Sequence, residues 1–282
     1  MITSLKILLN SAKINNYAIG AFNVFNLDYI KAITESAEEL KAPVILQISE
    51  SVLSLYGIDE ILSPSLIYAE KAKIPVCVHL DHAKSIEIVI KCIKAGFTSV
   101  MYDGSSLSFE ENLNNVKKLS EICKVLSISL EAEIGKVGKE DVINNTEIEL
   151  TNIKDAVLFS KSGYMDALAI SIGNIHGVTT PHVSLNIDLL KEINSRVDIP
   201  LVLHGSSGIL DNDIKQAISN GIVKINVATM MKNQVAQEIY KYINEKGVTG
   251  FIDTKKISNI TIENIKKVVC NRILLFGSSN KY

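Results

Sequence analysis

Residues 75–82 read Pro75-Val76-Cys77-Val78-His79-Leu80-Asp81-His82, a proline followed by an apolar run that ends in an acid and an imidazole. Proline stops a preceding helix, and the alternation after it is that of a strand. His79 and Asp81 then share one side, and His82 lies where the strand gives way to loop. The same unit recurs along the chain. Short apolar runs cover residues 18–23, 43–49, 75–81, 98–103, 126–133, 166–172, 199–204 and 222–226. Between them lie stretches with helical spacing, among them 27–40, 86–95, 107–123, 153–162, 211–220 and 230–245. Pro43, Pro75 and Pro200, with Gly96 and Gly221, introduce several of the strands. Alternating strand and helix implies parallel strands joined by right-handed crossovers. Eight such units in 282 residues match a (β/α)8 TIM barrel of the α/β class, expected as a single domain over residues 1–282. A doubly wound open sheet would need a glycine-rich dinucleotide turn after an early strand. Phe22-Asn23-Val24-Phe25 stands there instead, so that alternative falls.

Bulk properties narrow the function. The chain is 47% hydrophobic and 21% charged, with a formal net charge of −2 and a pI near 6.2. Such near-neutrality provides no bulk attraction for nucleic acid or an anionic membrane, so any phosphate must be bound by local geometry. Cys77, Cys92, Cys123 and Cys270 form no C-x-x-C pair, which fits a reduced cytoplasmic protein better than a disulfide framework. Residues 1–13 read as an amphipathic first helix rather than a signal peptide, and no apolar run approaches the ~20 residues of a membrane span.

The polar residues gather at one place in each unit. Asn23, Ser49, Asp81, Asp103, Glu131 or Glu133, His204 and Asn226 stand at carboxyl ends of expected strands, and His176 lies just beyond the sixth. In a barrel those ends meet at one mouth, where active sites are assembled. His79 reads as a hydrogen-bonded core histidine, whereas an acid and an imidazole adjacent at the mouth, Asp81 and His82, suit acid–base and metal work. His176 and His204 are each followed by glycine, which lets backbone approach a ligand closely. Three neutral imidazoles around an open position make a catalytic zinc arrangement. His182 reads as an exposed loop residue. Gly205-Ser206-Ser207-Gly208, before a helix expected to be capped by Asp211, and Asn226-Val227-Ala228-Thr229 offer small residues, hydroxyls and free N–H groups. Either stretch alone is ordinary turn chemistry; paired beside the histidines, they favour an anion. Glu131 and Glu133 share a strand face and need partners if buried. The loop beyond, Gly135-Lys136-Val137-Gly138-Lys139-Glu140-Asp141, is equally a solvated charged loop or one that closes over substrate and delivers a base.

Together these residues resemble the zinc-dependent class II fructose/tagatose-bisphosphate aldolases. The resemblance rests on Ala21-Phe22-Asn23, His79-Leu80-Asp81-His82, Met101-Tyr102-Asp103-Gly104-Ser105, Glu131-Ala132-Glu133-Ile134-Gly135, His176-Gly177, His204-Gly205-Ser206-Ser207-Gly208 and Lys224-Ile225-Asn226-Val227-Ala228-Thr229. It implies a carbon–carbon lyase that splits a ketose 1,6-bisphosphate reversibly into dihydroxyacetone phosphate and glyceraldehyde 3-phosphate. It implies Zn2+ on His82, His176 and His204, stabilising the enediolate as a Lewis acid, and a second metal position at Asp103 and Glu133. Asp81 would take the C4 hydroxyl proton, and Glu140 would exchange a proton at the dihydroxyacetone-phosphate carbon. Gly177, Gly205, Ser206, Ser207, Asn226, Ala228 and Thr229 would hold the ketose phosphate, with Asn23 and Ser49 in the same substrate set. A homodimer or homotetramer is implied, as is a monovalent cation near the phosphate.

The chain departs from the pattern in three places. Gly138 is followed by Lys139 where relatives carry paired glycines, and a shorter loop leaves Asp141 as an alternative base to Glu140. Met230-Met231 stands where many relatives place an acid, while Asn226-Val227-Ala228-Thr229 and Lys232 are more similar to the tagatose branch. The chain has two arginines, Arg196 and Arg272, so the second phosphate falls to Ser49 and Lys232 as candidates. Two other readings remain: a Schiff-base aldolase using Lys224, and a non-catalytic sugar-phosphate-binding paralogue.

Overall fold

The computed structural model describes residues 1–139, 148–180, 183–247 and 250–282. Its strands are β1 (Ile19–Asn23), β2 (Val44–Ser49), β3 (Val76–Ala83), β4 (Ser99–Tyr102), β5 (Ser129–Ile134), β6 (Gly138–Lys139), β7 (Ala167–Ile170), β8 (Ile175–His176), β9 (Leu201–Leu203) and β10 (Ile222–Val227). Eight of them close a barrel in the order β1-β10-β9-β7-β5-β4-β3-β2, and β6 pairs with β8 outside it. Neighbouring barrel strands are parallel, as the strand–helix alternation requires. This is the (β/α)8 TIM barrel.

Residue alternation divides the buried apolar side chains into two layers. Ile19, Ala21, Ile45, Cys77, Met101, Ala167, Ala169 and Val202 cluster inside the barrel with Leu5, Leu8, Leu9 and Ala12 of the first helix. That helix, Leu5–Ile14, is N-capped by Ser4, and its Lys6 N–H donates to the Ser129 hydroxyl at 3.1 Å. It therefore docks on the amino end of the barrel, the end opposite the polar strand tips. The intervening strand residues, such as Leu46, Val78, Leu80 and Leu130, join the larger core under the outer helices. Going up the barrel, the inward series turns polar: Ala21 gives way to Asn23, Ile45 to Gln47 and Ser49, and Cys77 to His79 and Asp81.

Several boundaries differ from the sequence expectation. The fifth strand begins at Ser129 rather than at 126, because helix Phe109–Leu126 runs on and closes at Ser127 in a left-handed conformation, φ 58°. Helices Glu50–Tyr56 and Ile58–Lys71, divided at Gly57 with φ 96°, fill the β2–β3 connection. Helix Thr254–Phe276 follows the last barrel helix and packs on it and on helix Leu27–Glu39. Asp211 does not cap its helix. Leu210 holds the cap position without a side-chain bond, and Asp211 instead pairs with Arg272 at 2.9 Å. All four cysteines are free thiols, and no helix among the described residues is long and apolar enough to cross a membrane.

Candidate active site

In a regular strand Asp81 and His82 would point to opposite sides. Here β3 breaks its register with β4 between Leu80 and Ala83, and His82 takes a left-handed conformation, φ 52°. The break turns the imidazole back, so that consecutive residues serve one mouth.

His82, His176 and His204 meet there. Each offers a ring nitrogen, and these lie within 4.8 Å of one another. His82 Nε2 stands 2.8 Å from His204 Nδ1, and the His82 and His176 ring centroids are 5.2 Å apart. His176 arrives on β8, which the pairing with β6 holds beside the barrel. His82, Asp103 and Glu133 form a second set of the same compactness. Asp103 Oδ2 lies 3.0 Å from His82 Nδ1, while Glu133 Oε2 lies 3.5 Å from it and 3.6 Å from His204 Nδ1. That Glu133 oxygen is buried and accepts no hydrogen bond among the described residues. Imidazoles facing one another, backed by the buried Glu133 and the half-buried Asp103, are a donor set suited to a divalent cation.

The electrostatics agree. Burial opposes a charged His82, but Asp81, the Asp103 hydrogen bond and Glu133 outweigh it and raise its pKa to about 9. The proton it carries stands in a field built for positive charge. Burial, then His82 and Lys224, push His204 well below the ordinary histidine value, leaving it neutral. Burial together with Asp103 raises Glu133 to about 8. At Asp103 burial is outweighed by His82 and by Ser105, whose hydroxyl donates at 2.6 Å, so its carboxyl titrates below the usual range.

Asp81 is buried and held from two sides, by Asn23 Nδ2 at 2.9 Å and Asn226 Nδ2 at 3.2 Å. Gln47 Nε2 in turn donates to Asn23 Oδ1 at 2.7 Å. Sequence reasoning misses Gln47, although an amide within an apolar buried strand is an available signal. His79 is the buried core histidine expected, its Nδ1 2.9 Å from Ser99 Oγ.

A cleft of about 150 Å3 opens above Asp81. It is lined by Asn23, Ser49, Asp81, His82, His176, Gly177, Gly205, Ser206, Ser207, Asn226, Ala228 and Thr229, and also by Phe25, Ser51 and Lys232. Asp103 and Glu133 stand behind His82 rather than on this wall. Glu140 and Asp141, the candidate loop bases, lie outside the described residues, as does His182. Ser206 Oγ donates to the Asn226 carbonyl at 2.5 Å, and Ser207 Oγ accepts from Met230 N–H at 3.1 Å, so these hydroxyls tie the two phosphate-type loops together. Gly205 has φ 63°, and a Cβ there would fall 2.6 Å from the Ile175 carbonyl oxygen. Gly205→Ala is therefore expected to destabilise the fold by about 1–3 kcal/mol, through left-handed strain plus displacement of the segment carrying His176. Urea unfolding measures this, and an unchanged midpoint would show that the segment gives way freely.

Lys224 does not line the cleft. It is fully buried, with Nζ 2.9 and 3.2 Å from the two Glu131 oxygens and 2.9 Å from Asn226 Oδ1. An ammonium so paired and screened from the cleft is no Schiff-base nucleophile, which needs a free amine at the substrate. Arg196 pairs with Glu192 and Arg272 with Asp211, away from the site. Among the described residues Lys232 is the lysine or arginine on the cleft wall, its Nζ 5.3 Å from the Phe25 ring centroid.

Comparison with known proteins gives consistent findings. The family model described as fructose-bisphosphate aldolase class II matches residues 3–281. The chain is 39% identical to a fructose-bisphosphate aldolase of Mycoplasma genitalium, covering all of both chains. It is 34% identical to a sulfofructosephosphate aldolase of Alkalicoccus urumqiensis, over 98% of this chain and 96% of that one. Among solved structures, the YdjI aldolase of Escherichia coli K12 superposes with a TM-score of 0.87 at 32% identity, covering 100% of this chain and 99% of that one.

Proposed function

The chain belongs to the class II fructose-bisphosphate aldolase family, whose members are carbon–carbon lyases, and from that premise we propose that it cleaves a ketose 1,6-bisphosphate reversibly to dihydroxyacetone phosphate and glyceraldehyde 3-phosphate. The observation that carries the reading is the trio His82, His176 and His204 directly beside a buried Asp81 whose carboxylate is held by two amides. Zinc on the three imidazoles would supply Lewis-acid polarisation of the substrate carbonyl. The backbone N–H groups around Gly177, Gly205 and Ser206, and those of Ala228 and Thr229 at the start of helix Thr229–Lys246, would bind the 1-phosphate. Asn23 and Asn226 aim Asp81 at the C4 hydroxyl. Asp81 takes that proton as the C3–C4 bond breaks, and the bonding pair passes to the ketose half as an enediolate. The loop acid, assigned to Glu140, then protonates C3 to complete dihydroxyacetone phosphate. A mere sugar-phosphate binder needs no proton carrier at Asp81, which disfavours that alternative. The proposal extends to a second metal position at His82, Asp103 and Glu133, a monovalent cation near the phosphate loop, a homodimer or homotetramer, and a cytoplasmic location.

The distal anion of the substrate is assigned to Lys232 with the Ser49 and Ser51 hydroxyls, which also line the cleft. Charge-assisted hydrogen bonds contribute about 1.5–3 kcal/mol. Lys232→Ala is therefore expected to raise KM for the bisphosphate roughly 10–100-fold, with little effect on the ketose 1-phosphate lacking that anion. Equal effects on both substrates would remove Lys232 from this role. Substrate identity is tested by one assay comparing fructose 1,6-bisphosphate, its C4 epimer tagatose 1,6-bisphosphate and a 6-sulfo analogue. No cleavage of any of them by zinc-loaded protein would overturn the function.

A further inference from the structure

Beneath the cleft is a buried ion pair, Lys224 and Glu131, to which the proposed chemistry gives no role. Glu131, on β5, is the common partner of His204, Lys224 and His79. His204 Nε2 lies 3.1 Å from Glu131 Oε1, Lys224 Nζ lies 2.9 Å from Oε2, and His79 Nε2 lies 3.6 Å from the same Oε2. All four side chains are shielded from solvent. Lys224 also donates to Asn226 Oδ1, and Asn226 Nδ2 donates to Asp81.

We infer that Lys224 and Glu131 are paired positioning residues, which set the ring orientation of His204 at one end of the site and the amide orientation of Asn226 at the other. The inference rests on the function proposed above. Its chemistry is one of donors and acceptors. A carboxylate only accepts, so His204 must carry its proton on Nε2 to bond Glu131. Nδ1, the nitrogen facing His82, is then left with the lone pair a metal requires. An ammonium only donates, so Asn226 must turn its oxygen to Lys224 and its NH2 to Asp81. With the amide reversed, an oxygen would face the Asp81 carboxylate and repel it. Glu131 alone would be an uncompensated buried charge, and so would Lys224; each makes the other tolerable in the barrel axis. One ion pair thus orders a metal ligand just past the end of β9 and the holder of the proton carrier on β10.

Lys224→Met alone strands a buried carboxylate and can fail to fold, so the test uses two charge-neutral pairs. In Lys224→Met with Glu131→Leu, His204 loses its acceptor, and zinc affinity measured against a competing chelator is expected to fall 10–100-fold. The visible spectrum of the cobalt-loaded protein should change with it. In Lys224→Met with Glu131→Gln, the Gln oxygen still accepts from His204, so zinc affinity is expected to stay within about 3-fold of wild type. Asn226 there loses its orienting donor, and kcat is expected to drop at least tenfold with KM little changed. Wild-type zinc affinity in the first pair overturns the Glu131 role, and wild-type kcat in the second overturns the Lys224 role. A third measurement needs no variant: 15N spectra of histidine-labelled wild-type protein are expected to place the His204 proton on Nε2, and a proton on Nδ1 overturns the inference. Failure of wild-type protein to cleave any ketose bisphosphate would instead sink the proposed function, while the affinity and 15N measurements would still decide the Glu131 role.

Discussion

Stripping the purified protein with a strong chelator is expected to abolish aldol cleavage, and Zn2+ to restore it. The physical basis is that carbon–carbon cleavage develops negative charge on the ketose oxygens in a cleft whose wall carries one lysine or arginine among the described residues, Lys232. Stabilising that developing charge does more to lower the barrier than anything else such a site can offer, and on the proposed function the task would fall to a cation on His82, His176 and His204. His82→Ala, His176→Ala and His204→Ala should each lose the metal, by more than the ~10–100-fold that follows removal of an outer partner. The three need not be equal. His82 belongs to both compact donor sets, so its loss removes the alternate position with Asp103 and Glu133 as well, whereas His176 serves only the first. Metal analysis after gel filtration reads this directly, and full zinc occupancy in any one variant would strike that residue from the ligand set.

Asp81→Ala is the second large effect expected. General acid–base catalysis contributes about 10²–10⁴-fold, and kcat should fall by that amount while zinc content and KM stay close to wild type. The split arises because Asp81 is placed by Asn23 and Asn226 rather than by the metal ligands' own carboxylate partners. A variant that keeps wild-type kcat would move the proton transfer elsewhere. If wild type and variant alike bind metal and ligand tightly without turnover, the protein is a binder.

Much of this site is legible in the chain before any folding. Short apolar runs that end in Asn23, Asp81, His204 and Asn226, two of them led by Pro75 and Pro200, are a local pattern, because strand alternation and helix amphipathicity act over a few residues and repeat with the fold. The strand edge at 126 is not legible in the same way, because Leu126 is as apolar as a strand residue and the helix continues through it. Nor is the place of Asp211, because an acid at a helix start has two uses, and a distant Arg272 decides between them.

Periodicity, and the choice of strand ends that carry chemistry, are enough to specify the barrel, its polar mouth and the residue types gathered there. How those residues point is a matter of tertiary packing. His82 turns to the same mouth as Asp81 because β3 breaks register beside β4, which depends on a neighbouring strand. Lys224, readable as a nucleophile from its place on a strand, is the partner of a carboxylate 93 positions away, and Gln47 is the support of Asn23. Hydrogen-bond partners in a closed barrel come from strands far apart in the chain, and no local pattern encodes which of them will meet.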